Sequence, residues 1–310
     1  KMHIVEPSYQ IQDDLDQASL VIRLEACGRI CYKSEEKISR DSALPFVTKI
    51  AEHGHNSVLE MAVVTLRVTG CSEEQIARLL ACEPRYLFID RVADGLLVTG
   101  SIRAFREMSQ RAGTIPLVRA MVDFQAGAHP YLFQGVWSAP APELTAGISV
   151  TKLTLTEVER LEPQLLARHR FVGVKFIINR AVTHELVRHR PCSFLQESQR
   201  YCRYSQDKFG NQVTFVKPMF YAEGTPEYAL WREAMERTEQ IYLQLLETST
   251  PQAARTVLPN SCKTEIIVYC NLAEWLHIFR LRCSPAAEPS MREVMIPLAA
   301  EVKARYPQLA

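Results

Sequence analysis

The stretch Arg188-His189-Arg190-Pro191-Cys192-Ser193-Phe194-Leu195-Gln196-Glu197-Ser198-Gln199-Arg200-Tyr201 concentrates cations, hydroxyls and amides in one short part of the chain. Arginine stays charged at any physiological pH, and its planar array of donors matches the oxygens of a phosphate or carboxylate. Serine hydroxyls and glutamine amides can orient such an anion with neutral hydrogen bonds. The stretch therefore predicts an anion-binding loop, with a basic surface turn as the alternative.

A second Arg-His-Arg tripeptide shows how little the tripeptide means by itself. Arg168-His169-Arg170 is followed by the apolar run Phe171-Val172-Gly173-Val174, which carries no hydroxyl or amide side chain. No chemistry is predicted for that copy, because a short motif without its context is a weak signal. The prediction of a site rests on the polar residues at positions 193–200.

Composition limits the classes of function. The chain has 310 residues, 47% of them hydrophobic, which is enough for one large or two modest cores. A formal net charge of +1 provides no general field for binding nucleic acid or an anionic membrane. No apolar run approaches the roughly 18 residues of a membrane span. No nucleic-acid or membrane partner is therefore expected.

The cysteines favour a reducing compartment. There are nine, an odd number, and no C-x-x-C pair occurs among them, which argues against a disulfide framework or a zinc site. No H-E-x-x-H pattern is present either, and no metal ion is expected. The residues Lys1-Met2-His3-Ile4-Val5-Glu6-Pro7 lack the apolar segment of a signal peptide. A cytoplasmic location is expected.

Hydrophobic periodicity predicts both helices and strands along the chain. The helices and strands follow one another irregularly, without the regular strand–helix alternation of a doubly wound sheet. Asn179 is expected to cap a short helix that leads into the polar stretch. The clearest elements are helices at 13–32, 226–247 and 271–282, and strands at 61–68 and 172–178.

Residues 71–170 give the least regular pattern. A strand at 96–101 and a helix at 102–108 are predicted within them. Residues 113–144 contain four prolines among many small side chains, and we expect this part to be irregular.

Arg188-His189-Arg190, followed after seven residues by Ser198, resembles the signature of flavin-dependent thymidylate synthases. The matching segments run in family order from about Ala26 to Val294, and leave roughly residues 71–170 as an insertion in a single domain spanning 1–310. The other similar segments are His53-Gly54-His55-Asn56-Ser57-Val58-Leu59-Glu60, Glu185-Leu186-Val187, Ala254-Arg255-Thr256-Val257-Leu258-Pro259 and residues 271–282.

The resemblance implies both a fold and a reaction. The fold would be α+β, with a mixed or antiparallel central sheet flanked by helices, assembled as a homotetramer with shared active sites. The reaction would transfer a one-carbon unit from methylenetetrahydrofolate to C5 of dUMP, giving dTMP. Reduction would pass from NADPH through FAD, and no enzyme cysteine would attack the pyrimidine.

The resemblance also implies residue roles. Arg282 would be catalytic, because its guanidinium favours the anionic pyrimidine. The nucleotide would contact Glu185, Arg188, Gln196, Glu197, Ser198, Gln199, Arg200, Arg255 and Arg282. The flavin would contact His55, Ser57, Arg188, His189, Arg190, Gln196, Asn271 and His277. For His55, His189 and His277 the alternative is a purely structural role.

Four positions depart from the family pattern, namely Met61, Leu195, Ala273 and Ser290. These departures keep two alternatives open: a UMP C5-methylase on the same scaffold, and a non-catalytic nucleotide-binding homologue. A methylase that uses Cys192 as its nucleophile is a further alternative, although a small buried residue is the preferred interpretation of that cysteine.

Overall fold

A computed structural model describes residues 2–200 and 212–309. Tyr201, the last residue of the polar stretch, lies outside the described residues. The strands are β1 (His3–Val5), β2 (Ser8–Ile11), β3 (Val63–Thr69), β4 (Leu87–Val92), β5 (Gly95–Ser101), β6 (Ser149–Lys152), β7 (Phe171–Asn179), β8 (Ser193–Gln196), β9 (Thr214–Val216) and β10 (Lys263–Asn271).

The helices lie between and around these strands. They are α1 (Asp13–Gln17), α2 (Leu20–Tyr32), α3 (Ala43–Glu52), α4 (Asn56–Leu59), α5 (Glu73–Ala81), α6 (Ile102–Ala112), α7 (Pro116–Ala128), α8 (Leu155–Glu159), α9 (Pro163–His169), α10 (Arg180–Leu186), α11 (Pro226–Thr248), α12 (Pro251–Ala254), α13 (Leu272–Arg282) and α14 (Pro289–Arg305). Short 3₁₀ helices occur at Glu35–Lys37, Pro130–Leu132, Arg255–Val257 and Pro307–Leu309.

Two four-stranded antiparallel sheets form the framework, which confirms the predicted α+β class. One sheet has the order β2-β7-β10-β8 and the other β4-β5-β3-β6. A short parallel pair, β1 with β9, adds a separate two-stranded sheet. The polar stretch of the sequence thus enters the first sheet as its edge strand β8.

The two sheets share one apolar core. Buried side chains of β3, β5 and α6 pack together with Leu195, Ile267 and Tyr269 from the sheet that holds the polar stretch. A second core on that sheet gathers Trp275, Ile278 and the buried face of α14. Among residues 2–200 and 212–309, no helix combines the length and apolar character needed to cross a membrane.

Two predictions about local structure were wrong. The single helix predicted at 13–32 is split into α1 and α2, because Ser19 takes an extended conformation between them. Residues 113–144, expected to be irregular, contain α7, with Pro116 in its first turn. A proline is tolerated there because the amide it lacks has no partner in the first turn.

The Arg168-His169-Arg170 copy joins the two sheets. His169 is buried, and its Nε2 lies 2.9 Å from Asp90 Oδ2 on β4. Its Nδ1 lies 2.8 Å from Thr99 Oγ1, which lies 2.8 Å from Thr65 Oγ1. Burial lowers the pKa of His169 although Asp90 opposes this, so a neutral ring that donates from Nε2 completes the chain of hydrogen bonds.

Replacing His169 by alanine should destabilise the fold by roughly 3 kcal/mol, because buried Thr99 loses its partner and a cavity forms. The free energy of unfolding in urea measures this. His184→Ala is the matched control, since His184 is exposed, and it should change stability by less than about 0.5 kcal/mol. Equal losses in the two variants would contradict the role given to His169.

Candidate active site

Two asparagines at strand ends fix the helices of the site. Asn179 Oδ1 accepts a hydrogen bond from the Val182 amide at 2.9 Å and caps α10. Asn271 Oδ1 accepts one from the Glu274 amide at 2.9 Å and caps α13. Buried Asn271 also donates from Nδ2 to the Arg168 carbonyl at 3.0 Å. The position of Asn271, predicted to contact flavin, is therefore set by structural hydrogen bonds.

Arg282 lies at the end of α13 and reaches across to α10. Its Nη1 donates to Glu185 Oε2 at 2.8 Å, and its Nη2 donates to the Glu185 carbonyl at 3.1 Å. Its Nε donates to His189 Nε2 at 3.0 Å. Three of the predicted site residues are thus joined directly, and the guanidinium is held by planar contacts that fix its direction.

His189 is a buried imidazole between charged neighbours. Burial, reinforced by the positive charge of Arg282 and by His277, lowers the pKa of His189 to about 4. The ring is therefore neutral near pH 7, and it accepts from Arg282 through Nε2. The remaining Nδ1–H faces Glu274 Oε1 at 3.7 Å, while the His277 ring lies edge-on with its centroid 6.2 Å away.

The group His189, Glu274 and His277 has the spacing of a metal site, since one ligand atom from each lies within 4.8 Å of the others. The charges around it oppose a cation. Arg282 donates to His189, and Arg280 Nη2 lies 2.7 Å from His277 Nδ1. Two guanidiniums directed at the ring nitrogens disfavour a divalent ion and favour an anionic or electron-rich ligand.

Strand β8 and the residue after it position Gln196 and Glu197. Gln196 donates from Nε2 to Thr183 Oγ1 and to Thr264 Oγ1, both at 3.2 Å. Glu197 is buried, and its Oε2 accepts a hydrogen bond from Lys263 Nζ at 2.9 Å. The same lysine lies 2.8 Å from Glu265. This pairing fixes β8 beside β10.

After β8, residues 198–200 make further polar contacts. The Ser198 amide donates to the Cys31 carbonyl at 3.1 Å, and Ser198 Oγ accepts from the Arg200 amide at 3.3 Å. Gln199 is buried, and its Nε2 has no hydrogen-bond partner among the described residues. A buried donor without a partner is costly, which suits a position that awaits a ligand acceptor.

The hydrogen-bond partners of Arg282 among the described residues do not include His55, Ser57, Arg188, Arg190 or Arg255. His55 and Ser57 are exposed in the 53–60 loop, where Tyr32 Oη and His55 Nδ1 lie 3.3 Å apart. Arg188 and Arg190 are exposed beside buried His189. Arg255 begins a 3₁₀ helix and, within the described part of the chain, makes no hydrogen bond with another predicted site residue.

Sequence reasoning missed the buried charges that support the site. Burial alone would raise the pKa of Glu265, but Lys263 and Lys33 lower it to about 2. Lys33 lies 2.5 Å from Glu265, although it is far from β10 in sequence. Glu274 was also missed, yet its position three residues after the capping Asn271 is a readable signal.

The sequence of the chain matches a known protein family. The family model described as "Thymidylate synthase complementing protein", Thy1, matches residues 19–80 and 159–308, more than half of the chain. The chain therefore belongs to the Thy1 family. The match is interrupted between residues 80 and 159, within the predicted insertion.

Individual relatives carry the name flavin-dependent thymidylate synthase. The protein from Pyrococcus abyssi is 35% identical over 128 residues, which cover 41% of this chain and 52% of the relative. The protein from Geobacter sulfurreducens is 35% identical over 133 residues, which cover 43% of this chain and 56% of the relative. The chain thus spans about half the length of the curated relatives it matches.

Removing the charge of Arg282 should raise the pKa of His189, because that charge is one of the causes of its low value. We expect the Arg282→Gln variant to show a histidine titration midpoint above about 4, measured by NMR of the ring signals. Arg237→Gln, exposed on α11, is the control and should leave the midpoint in place.

The lowered pKa of His189 also makes the free energy of unfolding depend on pH. The folded pKa of His189 lies below its unfolded value near 6.5, so the unfolded state binds the proton more tightly. His189 therefore contributes stability above about pH 6.5 that is lost as the pH falls towards 4. A His189 midpoint unchanged by Arg282→Gln would contradict this electrostatic account.

Proposed function

We propose that this protein is a flavin-dependent thymidylate synthase, which methylates C5 of dUMP to give dTMP. Methylenetetrahydrofolate would donate the carbon, and FAD reduced by NADPH would supply the hydride. The observation that carries the proposal is the contact set of Arg282 with Glu185 and His189. The names of the relatives support the flavin and the reaction type.

Arg282 is suited to bind the pyrimidine as an anion. Its guanidinium is fixed by Glu185, and its side chain is 19% exposed. Within the described residues Nη1 and Nη2 each make one hydrogen bond, so each keeps one hydrogen that can be donated to a ligand. A guanidinium in a partly desolvated position stabilises negative charge on a uracil ring far better than water does. Because His189 is neutral near pH 7, it adds no competing positive charge and its ring can lie against a flat ligand.

The hydrogen-bonding groups around His189 also suit a flavin nucleotide. Arg188 and Arg190 are exposed on either side of buried His189, where guanidiniums can bind phosphate oxygens. Gln199 offers a buried Nε2 donor, and Glu274 a buried Oε1 acceptor, neither with a hydrogen-bond partner among the described residues. FAD supplies hydride chemistry when bound, and the protein binds and orients its ring.

Assembly is part of the proposal. Arg255 and the 53–60 loop are not joined to Arg282 by hydrogen bonds in one described chain. A homotetramer whose subunits share active sites would bring such separate segments together. Phosphate binding by Arg200 and Arg255 is proposed on the same basis.

The proposed reaction is tested with purified protein, dUMP, methylenetetrahydrofolate and NADPH, while the flavin spectrum and the formation of dTMP are followed. Wild-type protein should take up FAD and form product. Arg282→Gln should lower kcat by about 10²–10³-fold, because one charge at the developing anion is lost. Arg237→Gln on the exposed face of α11 is the control.

Two results would refute the assignment: no FAD uptake by the wild type, or full turnover by Arg282→Gln. Parallel assays with UMP distinguish the dUMP enzyme from a UMP methylase. Binding of nucleotide without any product would instead identify a non-catalytic homologue.

Replacing Cys192 by alanine should leave kcat within about twofold of wild type, because in this proposal no cysteine attacks the ring. Cys192 is buried and lies beside Cys270, whose pKa is raised by burial and by that neighbour. A cysteine buried among apolar side chains, as Cys192 is, is generally unreactive. Product formation in single turnover measures the effect, with Cys283→Ala as control, and abolished turnover in Cys192→Ala would support the cysteine-dependent alternative.

A further inference from the structure

Two parts of the chain follow the same order of elements. The first unit, residues 63–132, runs β3-α5-β4-β5-α6-α7 and ends in the 3₁₀ helix Pro130–Leu132. The second unit, residues 171–309, runs β7-α10-β8, then β10-α13-α14, and ends in the 3₁₀ helix Pro307–Leu309. The segment with β9, α11 and α12 interrupts only the second unit.

The positions within the sheets also correspond. In each unit the first and last strands form the central antiparallel pair, β3 with β5 and β7 with β10. In each unit the middle strand lies outside the last one, β4 beside β5 and β8 beside β10. The outer place beside the first strand is filled from elsewhere in the chain, by β6 or by β2.

Hydrogen bonds and burial follow the same correspondence. The Ile102 amide donates to the Ala62 carbonyl, and the Leu272 amide donates to the Arg170 carbonyl, both at 2.9 Å. Helices α6 and α13 each have 11 residues and a capping side chain, Ser101 or Asn271. Their buried residues match at equal spacing, as Ile102, Phe105 and Met108 match Leu272, Trp275 and Ile278.

Matching corners of the two units meet at one cavity. Val63, which pairs with Ser101, and Phe171, which pairs with Asn271, both line it. Its volume is about 700 Å³, within the range of small-molecule sites. From the second unit it includes Arg190 and Ser193. We call it the inter-unit cavity.

The charges in the inter-unit cavity balance. Arg103 of α6 donates from Nη1 to Glu60 Oε1 at 2.5 Å and from Nε to Glu107 Oε1 at 2.7 Å. Arg190 adds a second cation, so two guanidiniums face two carboxylates. Because Arg103 is already paired with two carboxylates, the part of the cavity around it offers no net positive charge to a phosphate. A neutral ligand edge with both carbonyl acceptors and an N–H donor would match these side chains, since arginine donates and carboxylate accepts.

Aromatic side chains complete the cavity. Phe88 and Phe171 pack edge-to-face with centroids 5.6 Å apart, and both line it. Tyr86 lies at the mouth, is 72% exposed, and has a φ of 64°. Tyrosine rarely adopts that conformation, and such strain is concentrated at functional positions. The walls are therefore suited to contact a flat ring.

We propose that the inter-unit cavity binds a flat heteroaromatic ring with a lactam edge, and that Arg103 and Glu107 of the first unit bind that edge. This proposal rests on the proposed function, whose reaction includes three rings with such an edge: the uracil, already placed at Arg282, the flavin, and the pyrimidinone ring of the folate's pterin. The first unit would then supply binding residues to a site that it shares with the second unit of the same chain. These residues, Arg103 and Glu107, lie outside the family match.

Calorimetric titration of the full-length chain tests this, with FAD and with tetrahydrofolate as separate probes. Arg103→Ala should weaken binding of one probe by about tenfold or more, because an arginine held by two carboxylates is lost. Tyr86→Gly should weaken the same probe severalfold without harming folding, since glycine accepts a positive φ. Arg78→Ala, exposed on α5 of the same unit, should bind as the wild type does.

The outcomes separate the two proposals. Loss of FAD affinity alone identifies the flavin ring as the occupant, and loss of tetrahydrofolate affinity alone identifies the pterin. If the wild type binds FAD and forms dTMP while both variants bind both probes within twofold of it, only the inter-unit site is refuted. If the wild type binds neither probe, the proposed function fails together with it.

Discussion

The antiparallel pairing of β7 with β10 is the constraint on which the site depends. Asn179 and Asn271 end these strands, and each caps the helix that follows. The pairing register therefore fixes where α10 and α13 begin. It brings Glu185 and Arg282 to 2.8 Å although they are 97 residues apart in sequence. A slip of one residue would turn the buried side chains of both strands to the opposite faces and separate the helices.

The same pairing explains the electrostatics of the site. Arg282 is fixed by the carboxylate of Glu185 and by the neutral ring of His189. A protonated His189 would repel the guanidinium, and burial keeps that form unfavourable by lowering the pKa to about 4. The protein therefore holds the Arg282 guanidinium in a fixed direction beside an uncharged ring. This suits the binding of an anionic ring better than a cluster of mobile cations would, because the donors need no reorganisation.

Local sequence patterns predicted the helix starts around the site. They could not predict interactions between residues that are far apart in the sequence. The caps Asn179 and Asn271 are readable because asparagine at a helix start has a local cause. The structural role of Arg168-His169-Arg170 could not be predicted from the sequence, because the hydrogen-bond partners of His169, Asp90 and Thr99, belong to the other sheet. Helix α7 was missed because the four prolines of residues 113–144 suggested a loop, whereas only Pro116 lies in the helix and it occupies the first turn, where proline is favoured.

The two units show how one scaffold can carry two kinds of surface. Their buried positions match in both spacing and apolar character, as Phe105 and Trp275 do. The neighbouring positions on the same helices differ, since Arg103 and Glu107 stand where α13 has Ala273 and His277. Packing thus fixes the helices, and it leaves their outer faces free to differ in charge. Of the two helices, only α6 contributes residues to the inter-unit cavity, Arg103 and Glu107 among them, and the insertion that carries α6 packs into the shared core as an ordered unit.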